Sequence, residues 1–567
     1  MNMDWLDLNP DPVHVKRERE KARALRKTDW WKALVAKGVC HYCGRNVGAA
    51  NLTLDHVVPV SRGGRSTRGN CVPCCVECNR EKRSFTPAEL IMNKMERKDT
   101  TMKTLASALL AAVIATACAA GENTIRAKWF EADITPPIGA KLAGYGMNDV
   151  SVARHDTLYA SGLCLDDGSN RVLLISLDLI GMDYPSIKEL RKRLSPVVGA
   201  DEKAIMISCT HNHEGPHSRT YGASLGKSLA QIADTVDGGY LGFLFKRVEE
   251  AVREMAAREW GEYEVGFHSS VCRENRNRRY TTPDNHASFN AHRPVLHAVT
   301  TGVADPEVGT IVLLDADNRP KYVVGNWSAH ALTAHAPGLG GLRISSDFPG
   351  FYRRYIESET GAKAMFVQGA AGDLVTKDDE YGLAAAKRVG EAVAMQSIFG
   401  ILSIARCHDR FVLKKPRVGA EIRSFDMRLR KKWRDLSGNA TQKFDVQALA
   451  VGDVCFIGVP GEVVNELGLE IKWNSPFART FIAYLSTGYY GYIMPANLMA
   501  AGGYEAHSQR MASLDTLKIV SAAQDAAVAL RRRIFPDDDA GDDPYPDGRD
   551  APIVNVPGMY KGTKWDR

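Results

Sequence analysis

Hydrophobic and polar residues follow two distinct periods along most of this chain, from about residue 121 to residue 535. Short apolar runs predict β-strands at seven places: 172–180, 204–210, 310–314, 322–327, 364–368, 454–459 and 480–486. Apolar positions three and four residues apart predict amphipathic helices within 184–194, 241–255, 348–356, 383–399 and 514–530. Strands that alternate with helices indicate an α/β domain with a largely buried sheet, whose functional loops follow the carboxyl ends of its strands.

A different pattern fills residues 1–98. A charged stretch at 15–37 predicts mostly helix. Four cysteines in two Cys-x-x-Cys pairs follow it, at Cys40, Cys43, Cys75 and Cys78. Each pair places two thiolates on one tight turn, and two such turns complete a tetrahedral zinc site that has no open position. We therefore predict a structural zinc ion that contributes much of the folding free energy of this small module. Cys71 and Cys74 offer an alternative pair.

The charge distribution separates the same two regions. Residues 1–98 carry 19 Lys and Arg against 11 Asp and Glu, whereas the rest of the chain carries 54 against 56. The first region is therefore basic, which suits contacts with nucleic acid phosphates, and the remainder is close to neutral. The length of 567 residues and the hydrophobic content of 44% allow two or three domains.

The residues between and after the cysteine pairs carry a more specific pattern. Asp55 and His56 open the sequence DHVVPVSRGG, Asn70 follows, and Asn79 ends the sequence CVECN. In this order the motifs resemble the HNH endonuclease family, which has a ββα-metal fold. The resemblance implies that His56 is the general base and that Asn70 orients its loop. It also implies that Asp55 and Asn79 hold Mg²⁺ or Mn²⁺ against a phosphate of DNA. The alternative is a zinc ribbon that only binds nucleic acid or protein, with His56 in its core.

Residues 99–120 separate the two regions. From Met102 the sequence MKTLASALLAAVIATACAA is typical of a secretory leader, with a short basic start, an apolar run and small residues near Ala117 and Ala119. The apolar run at 105–120 is shorter than the ~20 residues that cross a bilayer, which favours a leader over a membrane anchor or a buried helix. Our hypothesis is that the sequence joins two neighbouring reading frames. Translation from Met102 would then give a secreted, periplasmic or lipid-anchored protein, whereas the full chain would be cytoplasmic or membrane-anchored.

In the larger region, 121–535, four predicted strands end in residues that suit a metal ion. These residues are His211, His213, His330, Glu462, and the tyrosines Tyr489, Tyr490 and Tyr492. Imidazoles and a carboxylate at one rim of a sheet are what a catalytic zinc ion requires, with one position left for water. The spacing of His211 and His213 allows both rings to point to the same side of a strand.

Seven short motifs, taken in order, resemble the catalytic domain of the neutral and alkaline ceramidase family: DITPPIGAKLAGYG, THNHEGPH, NRR, NWSAH, QGAAGD, VPGE and GYI. They cover nearly all of residues 124–505. The resemblance implies one catalytic Zn²⁺ with four ligands, His211, His330, Glu462 and Tyr492. It implies that His213 and Arg278 lie beside the metal and contact the reacting carbonyl group, with Asn277 and Asp373 as supporting residues. The implied activity is hydrolysis of an amide bond by a water molecule that zinc activates.

One residue departs from the family's pattern. Val375 stands where the family's AGDxSPN segment has a serine. A route through water needs no serine, so we expect a divergent zinc hydrolase of amide or ester bonds. Its substrate would be a lipid or another N-acylated small molecule, and association with a membrane is a further expectation.

Together these observations predict a large mixed-sheet α/β hydrolytic domain preceded by a small zinc-stabilised ββα-metal module. The tail at 536–567 is rich in Asp, Pro and Gly and is predicted to be disordered. Three classes of function remain open. The first is a metal-dependent amidase, the second is an HNH nuclease with an appended sensor, effector or lipid-binding domain, and the third is a non-catalytic module that binds lipid or glycan.

Overall fold

The computed structural model describes residues 12–43, 45–60, 65–82, 123–144, 150–218, 239–281, 287–289, 300–335, 342–377 and 381–536. The chain divides into two units, Met1–Ala119 and Ala120–Arg567. The leader predicted at 99–120, and all but the first residue of the tail predicted at 536–567, lie outside the described residues. Those two assignments, and the three predicted boundaries between segments 1–98, 99–120, 121–535 and 536–567, stay predictions.

The smaller unit contains two antiparallel strands followed by a helix. Its elements are α1 (Pro12–Arg26), α2 (Asp29–Ala36), β1 (Leu52–His56), β2 (Cys71–Cys75) and α3 (Val76–Lys82), with a 3₁₀ turn at Ala49–Asn51. Leu52 lies opposite Cys75 in the strand pair, and His56 lies opposite Cys71. This is the ββα arrangement that the sequence predicts. The hydrophobic cluster of the unit is small, since its buried members are Cys40, Leu52, Cys74 and Cys75.

The larger unit alternates strands and helices. Its strands are β3 (Thr124–Asp133), β4 (Ser151–Arg154), β5 (Tyr159–Asp166), β6 (Arg171–Leu177), β7 (Ile205–Cys209), β8 (Gly261–Val271), β9 (Asn275–Asn277), β10 (Arg279–Thr281), β11 (Ala287–Phe289), β12 (Thr300–Thr301), β13 (Glu307–Leu314), β14 (Pro320–Trp327), β15 (Leu342–Ile344), β16 (Lys363–Gln368), β17 (Leu374–Thr376), β18 (Val418–Arg428), β19 (Thr441–Val451), β20 (Val454–Gly458), β21 (Glu462–Val463), β22 (Arg479–Ala483) and β23 (Tyr492–Ile493). Its helices are α4 (Tyr184–Val198), α5 (Tyr240–Ala257), α6 (Asp347–Thr360), α7 (Leu383–Arg406), α8 (His408–Phe411), α9 (Lys431–Ser437), α10 (Asn465–Trp473), α11 (Ala496–Ala500), α12 (Tyr504–Ser508) and α13 (Lys518–Ile534). Two 3₁₀ turns lie at Glu202–Ala204 and Ser513–Asp515.

Two mixed sheets form the body of this unit. The larger sheet has the strand order β16-β14-β13-β8-β3-β5-β6-β7, and the smaller sheet has the order β18-β19-β20-β22. The pairs β14/β16, β6/β7 and β20/β22 are parallel, and the other neighbours in these sheets are antiparallel. The predicted mixed-sheet α/β class is therefore confirmed.

The two sheets pack against each other through one apolar core. Side chains of the larger sheet, such as Trp129, Met206 and Ile311, share this core with Leu449 and Phe456 of the smaller sheet. Helices cover the outer faces. Helices α4 and α5 contribute to one further cluster together with α10 and α13, and α6 and α7 contribute to another. The sheets are thus buried on both faces, which explains their long apolar runs.

Helix α7 (Leu383–Arg406) is the one described helix that is long and apolar enough to cross a membrane by length and composition. Its buried side chains include Val389, Val393, Ile401 and Ile404, which pack in the cluster with α6 and strands β13, β14 and β16.

Candidate metal centres

The ends of two strands and the starts of two others carry the predicted metal ligands of the larger unit. His211 lies two residues after β7, and His330 lies three residues after β14. Glu462 begins β21 and Tyr492 begins β23, and these two residues are direct partners in the parallel pairing of those strands. Residues far apart in sequence therefore reach one rim of the fold, as expected for an α/β protein.

Three imidazoles and one carboxylate converge at this rim. Nε2 of His211 lies 3.3 Å from Oε2 of Glu462, and Nε2 of His330 lies 3.4 Å from the same oxygen. Nε2 of His213 lies 3.4 Å from Nε2 of His211. The three histidines offer ligand atoms within 4.8 Å of one another. His213, which the family resemblance places beside the metal, thus offers a ligand atom to the same group as the predicted ligands His211 and His330.

Backbone carbonyl groups orient two of the rings. Nδ1 of His211 donates to the carbonyl oxygen of Ile180 at 2.8 Å, and Nδ1 of His330 donates to the carbonyl oxygens of Ala371 and Leu374. The Nε2 atoms consequently face the cluster with their lone pairs. His211 also has a φ of +60°, a left-handed conformation that a non-glycine residue rarely adopts. The surrounding fold therefore holds this ring in place at a cost in backbone strain.

Two histidines of the cluster are in the protonation state that binds a metal ion. Burial, followed by the charge of Arg278, lowers the pKa of His330 to about 4, and burial holds the pKa of His213 well below its usual range. Both rings are therefore neutral near pH 7, which is the form that binds a metal. Nε2 of His330 and Oε2 of Glu462 are buried without a hydrogen-bond partner among the described residues. Such atoms are costly to bury, and imidazole with carboxylate is a donor set that suits zinc, so the residues fit a divalent ion.

Tyr492 and Arg278 lie on one side of the cluster. Nη2 of Arg278 donates to the hydroxyl oxygen of Tyr492 at 3.0 Å and to the carbonyl oxygen of Gly372 at 2.9 Å. Burial, and then the charge of Glu462, raises the pKa of Tyr492 well above its usual value. Burial opposes the charge of Arg278, but Tyr492 and Glu505 raise its pKa, so the guanidinium group stays charged.

The predicted supporting residues hold the segment that carries Arg278. Nδ2 of Asn277 donates to Oδ2 of Asp373 at 2.6 Å, and the N–H of Arg278 donates to the carbonyl oxygen of Asp373 at 2.9 Å. The other carboxylate oxygen of Asp373 accepts the N–H of Asn465 at 2.7 Å. Burial raises the pKa of Asp373 to about 6. Val375 is buried in β17, opposite Arg276.

The family resemblance assigns no role to two residues that contact this site. The hydroxyl group of Tyr489 donates to Oε1 of Glu462 at 2.6 Å. Glu505 of α12 is fully buried and accepts hydrogen bonds from Nε of Arg278 at 2.9 Å and from Nη1 of Arg279 at 2.6 Å. Tyr489 stands in the tyrosine-rich segment that the sequence marks, whereas nothing in the local sequence of Glu505 distinguishes it from a surface carboxylate.

The smaller unit contains a second candidate metal centre. The thiol groups of Cys40, Cys43, Cys75 and Cys78 offer sulfur atoms within 4.8 Å of one another. Cys40 and Cys75 are buried, while Cys43 and Cys78 are partly exposed. The N–H of Cys75 donates to Sγ of Cys40 at 3.3 Å, and Nε of Arg45 donates to Sγ of Cys43 at 3.4 Å. Such hydrogen bonds favour thiolates, which are the form that binds a metal. The alternative pair, Cys71 and Cys74, lies outside this group.

The predicted nuclease residues surround β1 and the loop that follows it. Oδ2 of Asp55 accepts from the hydroxyl group of Tyr42 at 2.6 Å and lies 2.9 Å from Nζ of Lys82. Nδ2 of Asn79 donates to the hydroxyl oxygen of Thr53 at 3.0 Å. Thr53 and Asp55 share one side of the strand, since alternate residues do. Within the described residues, Asp55 and His56 do not belong to a group of three His, Cys, Asp or Glu ligands.

Asn70 closes the loop after His56. Its Oδ1 accepts the N–H of Val58 at 2.8 Å, and its Nδ2 donates to the carbonyl oxygens of Val58 and Arg65, both at 3.0 Å. Nζ of Lys82 donates to the carbonyl oxygen of His56 at 2.6 Å. These contacts fix the backbone at the predicted general base and in the segment that follows it.

Comparisons with known proteins agree with this division. Residues 40–95 match the model of the HNH endonuclease family. A stretch of 76 residues is 36% identical to the type IV methyl-directed restriction enzyme EcoKMcrA of Escherichia coli (strain K12). That stretch is 12% of this chain and spans about a quarter, 27%, of the length of the relative. The smaller unit thus contains an HNH endonuclease domain.

The larger unit has the fold of a neutral ceramidase. The structure of neutral ceramidase from Pseudomonas aeruginosa matches 72% of this chain and 75% of its own length, with a TM-score of 0.58 and 16% sequence identity. A structure of a ceramidase complexed with C2 matches 72% of this chain and 76% of its own length, with the same TM-score and identity. At this identity the likeness shows the fold.

Proposed function

We propose that the larger unit is a zinc-dependent hydrolase of amide bonds in N-acylated, ceramide-like molecules. The observation that carries this proposal is the convergence of His211, His330 and Glu462 on one buried point, with two of their atoms left without a hydrogen bond. A purely structural cluster would be expected to pair those atoms. The fold shared with ceramidases supports the substrate class.

His211, His330, Glu462 and Tyr492 would hold the ion. When bound, zinc polarises an amide carbonyl group and lowers the pKa of a coordinated water molecule. His213 is partly exposed, unlike the other two histidines, so its ring is placed to take up a proton from water and to pass it to the leaving amine. Arg278 keeps its positive charge beside Tyr492 and would stabilise negative charge on the carbonyl oxygen.

We propose two alternative ligand sets, which differ in one member. In the first set Tyr492 completes the coordination, and in the second His213 does, because its Nε2 is within 3.4 Å of His211. Zinc affinity distinguishes them. The first set predicts that Tyr492→Phe weakens zinc binding more than His213→Gln, and the second set predicts the opposite order.

The test of the proposed activity combines metal analysis with a substrate panel. The purified full chain would be assayed for zinc content and for hydrolysis of N-acyl sphingosines, N-acyl amino acids and acetylated sugars. We expect one zinc ion per larger unit and release of the acyl group from at least one N-acyl lipid. Glu462→Gln should abolish both, whereas Glu470→Gln, on α10 and outside the cluster, should change neither. A chain that binds no zinc in its larger unit and cleaves none of the panel would instead support a non-catalytic lipid or glycan module.

The second candidate function is DNA cleavage by the smaller unit, which its HNH family match supports. Four cysteines would hold a structural zinc ion, and Asp55 and Asn79 would hold Mg²⁺ or Mn²⁺. Oδ2 of Asp55 is engaged by Tyr42 and Lys82, which leaves Oδ1 for that ion. His56 would activate water. Plasmid nicking should require Mg²⁺ or Mn²⁺ and should be lost in His56→Ala while the zinc content stays constant. Plasmid nicking that persists in His56→Ala would contradict this proposed function.

The two activities belong in different compartments, since DNA is cytosolic and a leader directs export. The proposal therefore includes two neighbouring reading frames joined in this sequence, with Met102 as the start of an exported or lipid-anchored hydrolase. Immunoblots of natural cells with an antibody against the larger unit should show a species shorter than the full 62.2 kDa chain. A single band at full length would refute this part of the proposal.

A further inference from the structure

His56 is held through its ring as well as through its backbone. Nε2 of His56 lies 2.9 Å from the hydroxyl oxygen of Ser66. The same hydroxyl group lies 2.6 Å from the carbonyl oxygen of Glu18, and the N–H of Ser66 donates to Oε2 of Glu18 at 2.6 Å. Glu18 belongs to α1, ahead of the residues 40–95 that match the HNH family. Helix α1 thus reaches the predicted general base through one serine.

The hydroxyl proton of Ser66 decides which ring nitrogen of His56 carries a proton. A carbonyl oxygen only accepts hydrogen bonds, so the contact between Ser66 and Glu18 uses the single hydroxyl proton of the serine. The contact between Ser66 and His56 must then use a proton on Nε2, because two lone pairs at 2.9 Å would repel each other. Nδ1 keeps its lone pair, and it makes no hydrogen bond with any described residue.

The side chain of Glu18 is suited to hold this arrangement. It is 1% exposed, and its second oxygen, Oε1, accepts from Nζ of Lys21 at 2.8 Å. That hydrogen bond, then the one from the N–H of Ser66, lowers the pKa of Glu18 to about 2. The carboxylate is therefore ionised near neutral pH. Charge-assisted hydrogen bonds of this kind are about twice as strong as neutral ones.

We infer that Glu18 and Ser66 are positioning residues which fix His56 in the tautomer protonated at Nε2, so that His56 accepts the proton of the attacking water through Nδ1. The inference rests on the proposed nuclease function of the smaller unit. It assigns to α1, which lies outside the family match, a part in the cleavage site. Asp55, Lys82 and Arg26 are the other charged groups around His56, and none of them makes a hydrogen bond to its ring.

The tautomer is measurable without any nuclease assay. The full chain would be labelled with ¹⁵N-histidine, and long-range ¹H–¹⁵N correlation spectra would be recorded at a pH where imidazole is neutral, with His56→Gln used to assign the signal. We expect the pattern of a ring protonated at Nε2 in the wild type and a mixture of tautomers in Ser66→Ala. A wild-type ring protonated at Nδ1 would overturn the inference, whether or not the chain cleaves DNA.

Kinetics provide the second measurement. Ser66→Ala should slow single-turnover nicking by about 10- to 100-fold, the usual cost of losing a group that orients an active residue, with zinc content and DNA affinity unchanged. Ser66→Thr should restore the rate because threonine keeps the hydroxyl group. Glu18→Ala should slow nicking, whereas Glu20→Ala, exposed on the same helix, should not. Equal rates for Ser66→Ala and wild type would contradict the inference. If the wild type does not nick DNA, the nuclease proposal fails, and the spectra still decide the tautomer.

Discussion

The two candidate metal centres of this chain differ in what surrounds them. The four cysteines of the smaller unit lie in a hydrophobic cluster whose buried members are Cys40, Leu52, Cys74 and Cys75, so two of the ligands are themselves the core. The histidines and Glu462 of the larger unit lie instead at the rim of a domain whose apolar clusters extend through two packed sheets. The first unit therefore has only a small apolar core of its own, whereas the second has the larger core of two packed sheets.

The difference in surroundings is matched by a difference in the residue types that would bind the metal ion. Four thiolates complete a tetrahedron and leave no position for a substrate, which suits an ion that only stabilises a fold. Imidazoles and a carboxylate are instead the ligands typical of catalytic zinc sites, and the partly exposed His213 lies beside them, which suits an ion that takes part in a reaction. We expect loss of metal to unfold the first unit and to inactivate, without unfolding, the second.

The largest effect that separates the two centres is expected for Cys75→Ser. Structural zinc contributes about 10–16 kcal/mol in zinc-finger peptides, which is comparable with the whole stability of a small domain. The variant should lose one zinc ion, and hydrogen exchange should show the smaller unit unfolded while the larger unit keeps its protection. Cys71→Ser is the matched control, because Cys71 is buried on the same strand but lies outside the cysteine group. Loss of zinc in the control would show that the ligand set is wrong.

At the second centre, Gly144→Ala should damage the site far more than the fold. Gly144 has a φ of +96°, and an added Cβ would lie 2.2 Å from Nδ1 of His213. We expect hydrolysis to fall about 100-fold, the cost of a displacement of roughly 1 Å in an active site. The strained backbone should lower the free energy of unfolding by about 1–2 kcal/mol.

Gly139→Ala separates these two effects. Gly139 has a φ of +93°, nearly that of Gly144, but an added Cβ would meet nothing within 4 Å. This variant should therefore lose similar stability in thermal unfolding and keep its activity. If both variants lose activity equally, backbone strain and not the ring of His213 is responsible.

Most residues of the two candidate metal centres could be proposed from the sequence, because residue types that bind metals are rare and stand here in ordered motifs. The Cys-x-x-Cys pairs, Asp55 and His56 are close in sequence, so their spacing alone indicates a site. His211, His330 and Glu462 are far apart, and the family resemblance predicts their convergence where periodicity alone does not. All seven predicted strands and all five predicted helices correspond to elements of the fold.

The elements and contacts that the sequence does not predict are those that depend on packing. The hydrophobic pattern does not predict strands β3, β8 and β18, because polar residues interrupt their apolar positions. In β18 (Val418–Arg428), most residues after Ala420 are partly or fully exposed. Glu505 is buried, and its carboxylate is paired with Arg278 and Arg279. A buried carboxylate of this kind has no local pattern, since its partners lie more than 200 residues away in sequence.

A moderate effect is expected for Tyr489→Phe. This variant tests whether the hydrogen bond to Glu462 strengthens the binding of a metal ion at the candidate centre of the larger unit. The hydroxyl group of Tyr489 donates to Oε1 of Glu462 at 2.6 Å and so leaves Oε2 to face the histidines. Removing such a partner usually costs about 10- to 100-fold in metal affinity or activity. Competition with a zinc-sensitive chelator dye would measure the affinity.

Tyr490→Phe is the control for this change. The hydroxyl oxygen of Tyr490 accepts from Nε2 of Gln442 at 3.3 Å, and its ring stacks on Phe444, away from Glu462. Zinc affinity should be unchanged in this variant. A similar loss in both variants would mean that the packing of this tyrosine segment, and not the hydrogen bond to Glu462, controls the metal.

The smallest effect is expected for Val375→Ser, which restores the residue type of the ceramidase pattern. If water activated at the metal attacks the carbonyl group, no side-chain nucleophile is needed at this position. Val375 is also buried and paired in β17 beside the segment that carries Arg278. We expect kcat/KM on the best N-acyl substrate to stay within about threefold of the wild-type value, less than 1 kcal/mol of barrier. A large gain specific to ceramide would instead mean that Val375 restricts the substrate, and the larger unit would then differ from ceramidases at this residue rather than in its metal chemistry.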